Sequence, residues 1–184
     1  MRLYDKNYHF NIANIFTFLN ISLGIIALYF IGQRDFFTAI VLAWIAGVFD
    51  IIDGKLARRY NLSCQFGIQL DSFADFISFV IMPAFLLFYA LIDHKTKIDT
   101  LIAGVVFLYY IISGLRRLIE FNLHSKEGEV EKYFTGVPTP LGAILLWVLY
   151  LVYTYQIITN LYIILLFVLI IAYLLNSKIK IPHP

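Results

Sequence analysis

Charge is scarce in this chain, and cysteine is almost absent. Asp, Glu, Lys and Arg make up 14% of the 184 residues, 61% are hydrophobic, and the mean hydropathy is +0.81. That balance excludes an ordinary soluble domain. The one cysteine, Cys64, excludes an intrachain disulfide. The four histidines (His9, His94, His124 and His183) fall in tails or loops at no metal-ligand spacing and read as solvated polar residues. With a net charge of +2 and no basic run, nothing marks nucleic acid as a partner. Low-complexity tracts and clear internal repeats are also missing.

What the chain has in quantity is apolar sequence in long runs. A membrane-spanning helix needs about 20 apolar residues, and the pattern yields six candidates. They lie near Asn11–Ile31, Phe36–Tyr60, Phe66–Ile92, Thr100–Leu123, Leu141–Tyr155 and Asn160–Leu175. The expectation is an all-α integral membrane protein with a single six-helix domain over 11–176. Residues 1–10 read as an interfacial segment with no cleavage site after the first apolar run, and 177–184 as a tail.

The basic residues set the orientation. With both termini in the cytoplasm, eleven of the 14 Lys and Arg fall inside: Arg2, Lys6, Lys55, Arg58, Arg59, Arg116, Arg117, Lys126, Lys132, Lys178 and Lys180. Only Arg34, Lys95 and Lys97 fall outside. The positive-inside rule therefore predicts a multi-pass cell-membrane protein whose turn near Leu62 faces the cytoplasm.

Against this apolar background, the stretch Asp50–Asp75 carries four carboxylates: Asp50, Asp53, Asp71 and Asp75. An ionised side chain at mid-membrane costs about 2.5–3.5 kcal/mol on insertion scales, so four of them require a function or a partner. Asp50 and Asp53 are three apart and share a helix face; Asp71 and Asp75 are four apart and share another. In an antiparallel hairpin about Leu62, Asp53 lies level with Asp71 and Asp50 with Asp75. Oxygen-only ligands suit hard cations such as Mg2+ or Mn2+, and two such ions would neutralise the cluster. Inter-helix salt bridges are the bland alternative. Lys55, Arg58 and Arg59 are too few and too near the turn to pair all four acids.

The neighbouring residues suit a phosphate ester. Gly54 and Ala57 continue the acidic face with almost no side chain, Gly67 does the same one turn before Asp71, and Arg58 offers a permanently charged fork. The first helix adds a stripe of Asn14, Thr17, Asn20 and Gly24. Interhelical hydrogen bonding explains such a stripe; alternatively, Asn14 and Thr17 line a nucleotide or diphosphate pocket.

The spacing D-x-x-D-G-x-x-A-R, eight residues, G-x-x-x-D-x-x-x-D resembles the signature of the CDP-alcohol phosphotransferases. Asp50, Asp53, Gly54, Ala57, Arg58, Gly67, Asp71 and Asp75 match it position by position. Arg117-Leu118-x-x-Phe121-Asn122 and Phe134-Thr135-Gly136-Val137-Pro138-Thr139-Pro140 resemble segments of the phosphatidylserine synthase subgroup, as do the Leu70–Asp75 wording and the closing Ser177–His183. Glu120 departs from the basic or small polar residue usual in that subgroup.

The resemblance implies the CDP-alcohol phosphotransferase fold and a homodimer. It also implies a reaction in which CDP-diacylglycerol loses CMP as its phosphatidyl group passes to L-serine. On that reading Asp50, Asp53, Asp71 and Asp75 hold two divalent ions, Mn2+ or Mg2+, and Asp75 also serves as the general base. Gly54, Ala57, Arg58, Gly67, Asn14 and Thr17 bind the CDP-lipid. Arg117, Asn122, Thr135 and Gly136 bind the acceptor. Alternatives are a CDP-linked ether lipid (archaetidylserine synthesis), another acceptor such as glycerol 3-phosphate or inositol phosphate, and a divalent-ion transporter. The last would need polar residues continuing to the outer face, whereas the acids here cluster near the cytoplasmic side.

Overall fold

The computed structural model describes residues 2–5, 8–93, 95–124, 133–135, 137–177 and 180–182. The chain forms two compact units, Met1–Ser78 and Phe79–Pro184.

The first unit is built from α1 (Ile12–Gly32), α2 (Phe36–Arg59) and α3 (Gln65–Asp75). Its burial pattern inverts that of a soluble helix. The buried face of α1 carries Asn14, Thr17, Asn20 and Gly24, while Leu19, Ile25, Ile26 and Tyr29 are exposed. An apolar exterior around a polar interior is what a hydrocarbon solvent selects. Asn11 caps α1, accepting from the Asn14 amide at 3.0 Å, and Asp35 caps α2 through the Thr38 amide at 3.1 Å.

Between α2 and α3 the chain reverses within a few residues. Asn61 adopts a left-handed φ of 51°, a conformation that asparagine tolerates better than most residues. The Leu62 amide then donates to the Ala57 carbonyl at 2.9 Å, and the Leu62 side chain is buried. Cys64 starts α3 as its N-cap, its Sγ accepting from the Gly67 amide at 3.4 Å.

The span expected as one helix over Phe66–Ile92 is interrupted. After Asp75 it widens into a π-helical stretch, Phe76–Ile81, and resumes as α4 (Met82–Leu91). Pro83 supplies a physical reason. It has no amide hydrogen, and its ring would clash with the carbonyl four residues earlier in a regular α-helix, so a wider turn just before it relieves both.

The second unit contains α4, α5 (Lys97–His124), α6 (Thr139–Thr154) and α7 (Leu161–Leu175). Close approaches depend on glycine here: a Cβ on Gly114 would sit 2.5 Å from Val80 Cγ1. The Tyr162 hydroxyl donates to Asp99 Oδ1 at 2.7 Å, tying the start of α7 to that of α5. α5 begins three residues before the expected Thr100, because Thr96 and Asp99 form a reciprocal cap at its N-terminus.

An all-α chain was the expectation, and the helices meet it, but a short ribbon is added. β1 (Tyr133–Thr135) pairs antiparallel with β2 (Lys180–Pro182), with Phe134 opposite Ile181. Among the described residues, four helical stretches are long and apolar enough to cross a membrane: Ile12–Gly32, Phe36–Arg59, Gln65–Leu91 and Lys97–Leu123. α6 and α7 are apolar but shorter, at 16 and 15 residues.

Candidate active site

α2 and α3 bring their acids together around one small volume. One carboxylate oxygen each from Asp50, Asp53 and Asp71 lies within 4.8 Å of the others. Asp53 is buried, and its Oδ2 finds no hydrogen-bond partner among the described residues. A buried oxygen with no donor carries the full cost of its lost hydration unless a cation supplies the contact. Two carboxylates at this separation repel by about 3.5 kcal/mol or more at an effective dielectric constant near 20. The orphaned oxygen, the mutual repulsion and the all-oxygen donor set together fit a divalent cation.

Asp75 stands differently from the other three. Its carboxyl meets that of Asp50 side chain to side chain, yet it lies outside the three-acid group. Position 75 is the last residue of α3, immediately before the helix widens. Its carboxyl therefore joins the cluster through Asp50.

Beside the acids opens a pocket of about 180 Å3 whose lining comes entirely from the first unit. Asn14, Thr17, Gly54, Ala57, Arg58 and Gly67 all line it, together with Asp53 and Asp71. Thr17 has one hydroxyl hydrogen and two acceptors in reach, the Ala13 carbonyl at 3.2 Å and the Asp53 carboxylate. Asn14 is held on both sides. Its amide donates to Asn11, and its Nδ2 donates to the His9 carbonyl at 3.0 Å. The Arg58 guanidinium lies over Gly54, 3.5 Å from where a Cβ would stand, and its charge acts on Asp71.

Sequence reasoning missed part of this wall. Ala13, Leu62, Ser63, Cys64 and Ile68 also line the pocket. Ala13 and Ile68 could have been found by helical spacing, Ala13 one turn before Thr17 and Ile68 three residues before Asp71. Cys64, given no role from sequence, contributes both the N-cap of α3 and part of the lining.

The residues expected to bind an acceptor belong to the second unit. Arg117 is only 7% exposed, and its Nε donates to the Val137 carbonyl at 3.3 Å. Asn122 is half-buried in the last turns of α5, and Thr135 ends β1. Gly136 lies outside the described residues. Glu120, the departure from the subgroup pattern, pairs with Arg116 one turn earlier at 3.5 Å.

Residues 10–176 match the family model for CDP-alcohol phosphatidyltransferases. The chain belongs to that family. Within it, the chain is 29% identical over 132 residues to the CDP-diacylglycerol–serine O-phosphatidyltransferase of Helicobacter pylori strain 26695, a match covering 72% of this chain and 54% of the relative. The protein of the same name from Bacillus subtilis strain 168 is 29% identical over 167 residues, covering 91% of this chain and 87% of the relative. The archaetidylserine synthase of Methanothermobacter thermautotrophicus is 29% identical over 175 residues, covering 94% and 70%. The chain thus spans about half the length of the Helicobacter relative.

Proposed function

We propose that this chain transfers the phosphatidyl group of CDP-diacylglycerol to the hydroxyl of L-serine, giving phosphatidylserine and CMP. The observation that carries the reading is the group of three acids within 4.8 Å, beside a pocket that Arg58 overhangs. The relatives from Helicobacter pylori and Bacillus subtilis carry the name of that activity.

In this reading Asp50, Asp53, Asp71 and Asp75 hold two divalent ions, Mn2+ or Mg2+. Bound there, the ions supply charge to the diphosphate and to the attacking and leaving oxygens. Arg58 grips the phosphate oxygens as a bidentate fork. Gly54, Ala57 and Gly67 leave the helix surfaces bare for the CDP moiety, and Asn14 and Thr17 offer it polar contacts. The serine hydroxyl attacks the phosphorus nearer the diacylglycerol. Its proton passes to Asp75, and the bond to the CMP oxygen breaks. Arg117 holds the serine carboxylate, with Asn122, Thr135 and Gly136 completing the acceptor site. The enzyme crosses the cell membrane six times, keeps both termini and the pocket on the cytoplasmic side, and works as a homodimer.

A second reading keeps the chemistry and changes the lipid. Similarity to the Methanothermobacter protein runs over nearly the whole chain, which favours a CDP-linked ether lipid as an alternative donor. Both are tested by CMP release from purified protein with Mn2+, offering each donor with serine, glycerol 3-phosphate or inositol phosphate. CMP is expected with serine only, and EDTA is expected to abolish it. CMP formed with another acceptor and not with serine overturns the serine assignment.

A further inference from the structure

Two buried residues that the proposed chemistry does not use are wired to the acidic cluster. Asn20, on α1, is fully buried, and its Nδ2 donates to Asp50 Oδ1 at 3.1 Å. Ser78, in the π-helical stretch, is 4% exposed, and its Oγ donates to Asn20 Oδ1 at 2.6 Å. The three groups form a directed chain. Ser78 has a single hydroxyl hydrogen, and spending it on Asn20 Oδ1 forces the amide to present its NH2 to Asp50. An amide turned the other way would set oxygen against a carboxylate. The backbone is arranged to allow this contact. A Cβ on Gly24, one turn beyond Asn20, would stand 2.8 Å from Ile77 Cγ2 and 3.1 Å from Ser78 Oγ. The widened turn that starts at Phe76 carries Ser78, and such turns are frequent at functional sites.

We propose that Ser78 and Asn20 are positioning residues that fix the carboxylate of Asp50 for cation binding, Ser78 by orienting the Asn20 amide and Asn20 by holding Asp50 Oδ1. Neither lines the pocket beside the acids; their link to the cluster runs through Asp50. This rests on the reading of Asp50 as a metal ligand. An outer hydrogen-bond partner of a ligating group sets its orientation and basicity, and its removal weakens metal affinity even though the ligand set is intact.

The test is Mn2+ binding to the purified full chain in detergent, followed by the electron paramagnetic resonance signal of free Mn2+ without substrate. Melting temperature is recorded alongside. Asn20→Ala is expected to weaken Mn2+ binding about tenfold and Ser78→Ala by several-fold. The double variant should be no weaker than Asn20→Ala alone, because both lie on one chain of bonds. Asp50→Asn separates this inference from the reading beneath it. If Asp50→Asn leaves Mn2+ affinity unchanged, Asp50 is no ligand and both fall. If Asp50→Asn weakens binding while Ser78→Ala and Asn20→Ala lower only the melting temperature, the relay alone is overturned. Should Asn20→Ala fail to fold, Ser78→Ala, which removes one oxygen, decides the matter by itself.

Discussion

Gly54 on α2 and Gly67 on α3 both line one pocket, and a methyl group added to each meets a different neighbour. At Gly67 a Cβ would lie 3.0 Å from Asn14 Oδ1 and 3.6 Å from Cys64 Sγ. Asn14 has little room to yield, since its side chain is tethered to the His9 carbonyl at 3.0 Å. At Gly54 the nearest atom is Arg58 Nη1 at 3.5 Å, an ordinary contact with the mobile end of a long side chain. Gly67→Ala is therefore expected to raise the KM for the CDP-lipid by about tenfold, equivalent to ~1.4 kcal/mol. Gly54→Ala should have a smaller effect, and neither should change the KM for serine. Steady-state kinetics on the two variants checks the order, and an equal or reversed ranking would contradict it. The small-residue face was legible because glycine and alanine recur beside the acids at helical spacing. The contact between Gly67 and Asn14 was not, because it depends on how α1 packs on α3, and no periodicity in one helix reports on its neighbour.

Elements repeat this division between local and non-local information. The helices could be read off the sequence because hydrophobic runs of about 20 residues and their caps are local signals. Widening at Phe76–Ile81 left only Pro83 as a trace, and strands of three residues are too short to show a period. The ribbon still has consequences. The segment that continues from β1 is tied down at Val137, whose amide donates to the Leu174 carbonyl at 3.2 Å and whose carbonyl accepts from Arg117. β2 is a further tie, made wholly by the tail. Ending the chain after Ser177 removes it. If Thr135 and Gly136 belong to the acceptor site, that truncation should raise the KM for serine several-fold and leave the KM for the CDP-lipid unchanged. An unaltered serine KM would separate the ribbon from acceptor binding, whereas a rise in both would point to general loss of structure.

At the scale of the whole molecule, the lengths of α6 and α7 put the proposed six crossings to the test. A helix of 16 residues is about 24 Å long, short of a hydrocarbon core about 30 Å thick. α6 and α7 could therefore cross with local thinning of the bilayer, or dip in and return as a hairpin. Both arrangements leave the termini on one side, so the eleven-to-three distribution of basic residues cannot choose between them. Position 159, in the exposed connection between α6 and α7, can. With Cys64→Ser as background, Ser63→Cys marks the turn beside the pocket and Thr159→Cys marks that connection; both parent side chains are exposed. The positive-inside rule predicts that Ser63→Cys reacts with a membrane-impermeant maleimide in inside-out vesicles and stays unlabelled in right-side-out ones. Six crossings require the opposite for Thr159→Cys. Labelling of both from the same side would make α6 and α7 a re-entrant pair and reduce the crossings to the four long spans. The acids of α2 and α3 would remain on the cytoplasmic side in that case, because Ser63 reports their orientation independently of Thr159.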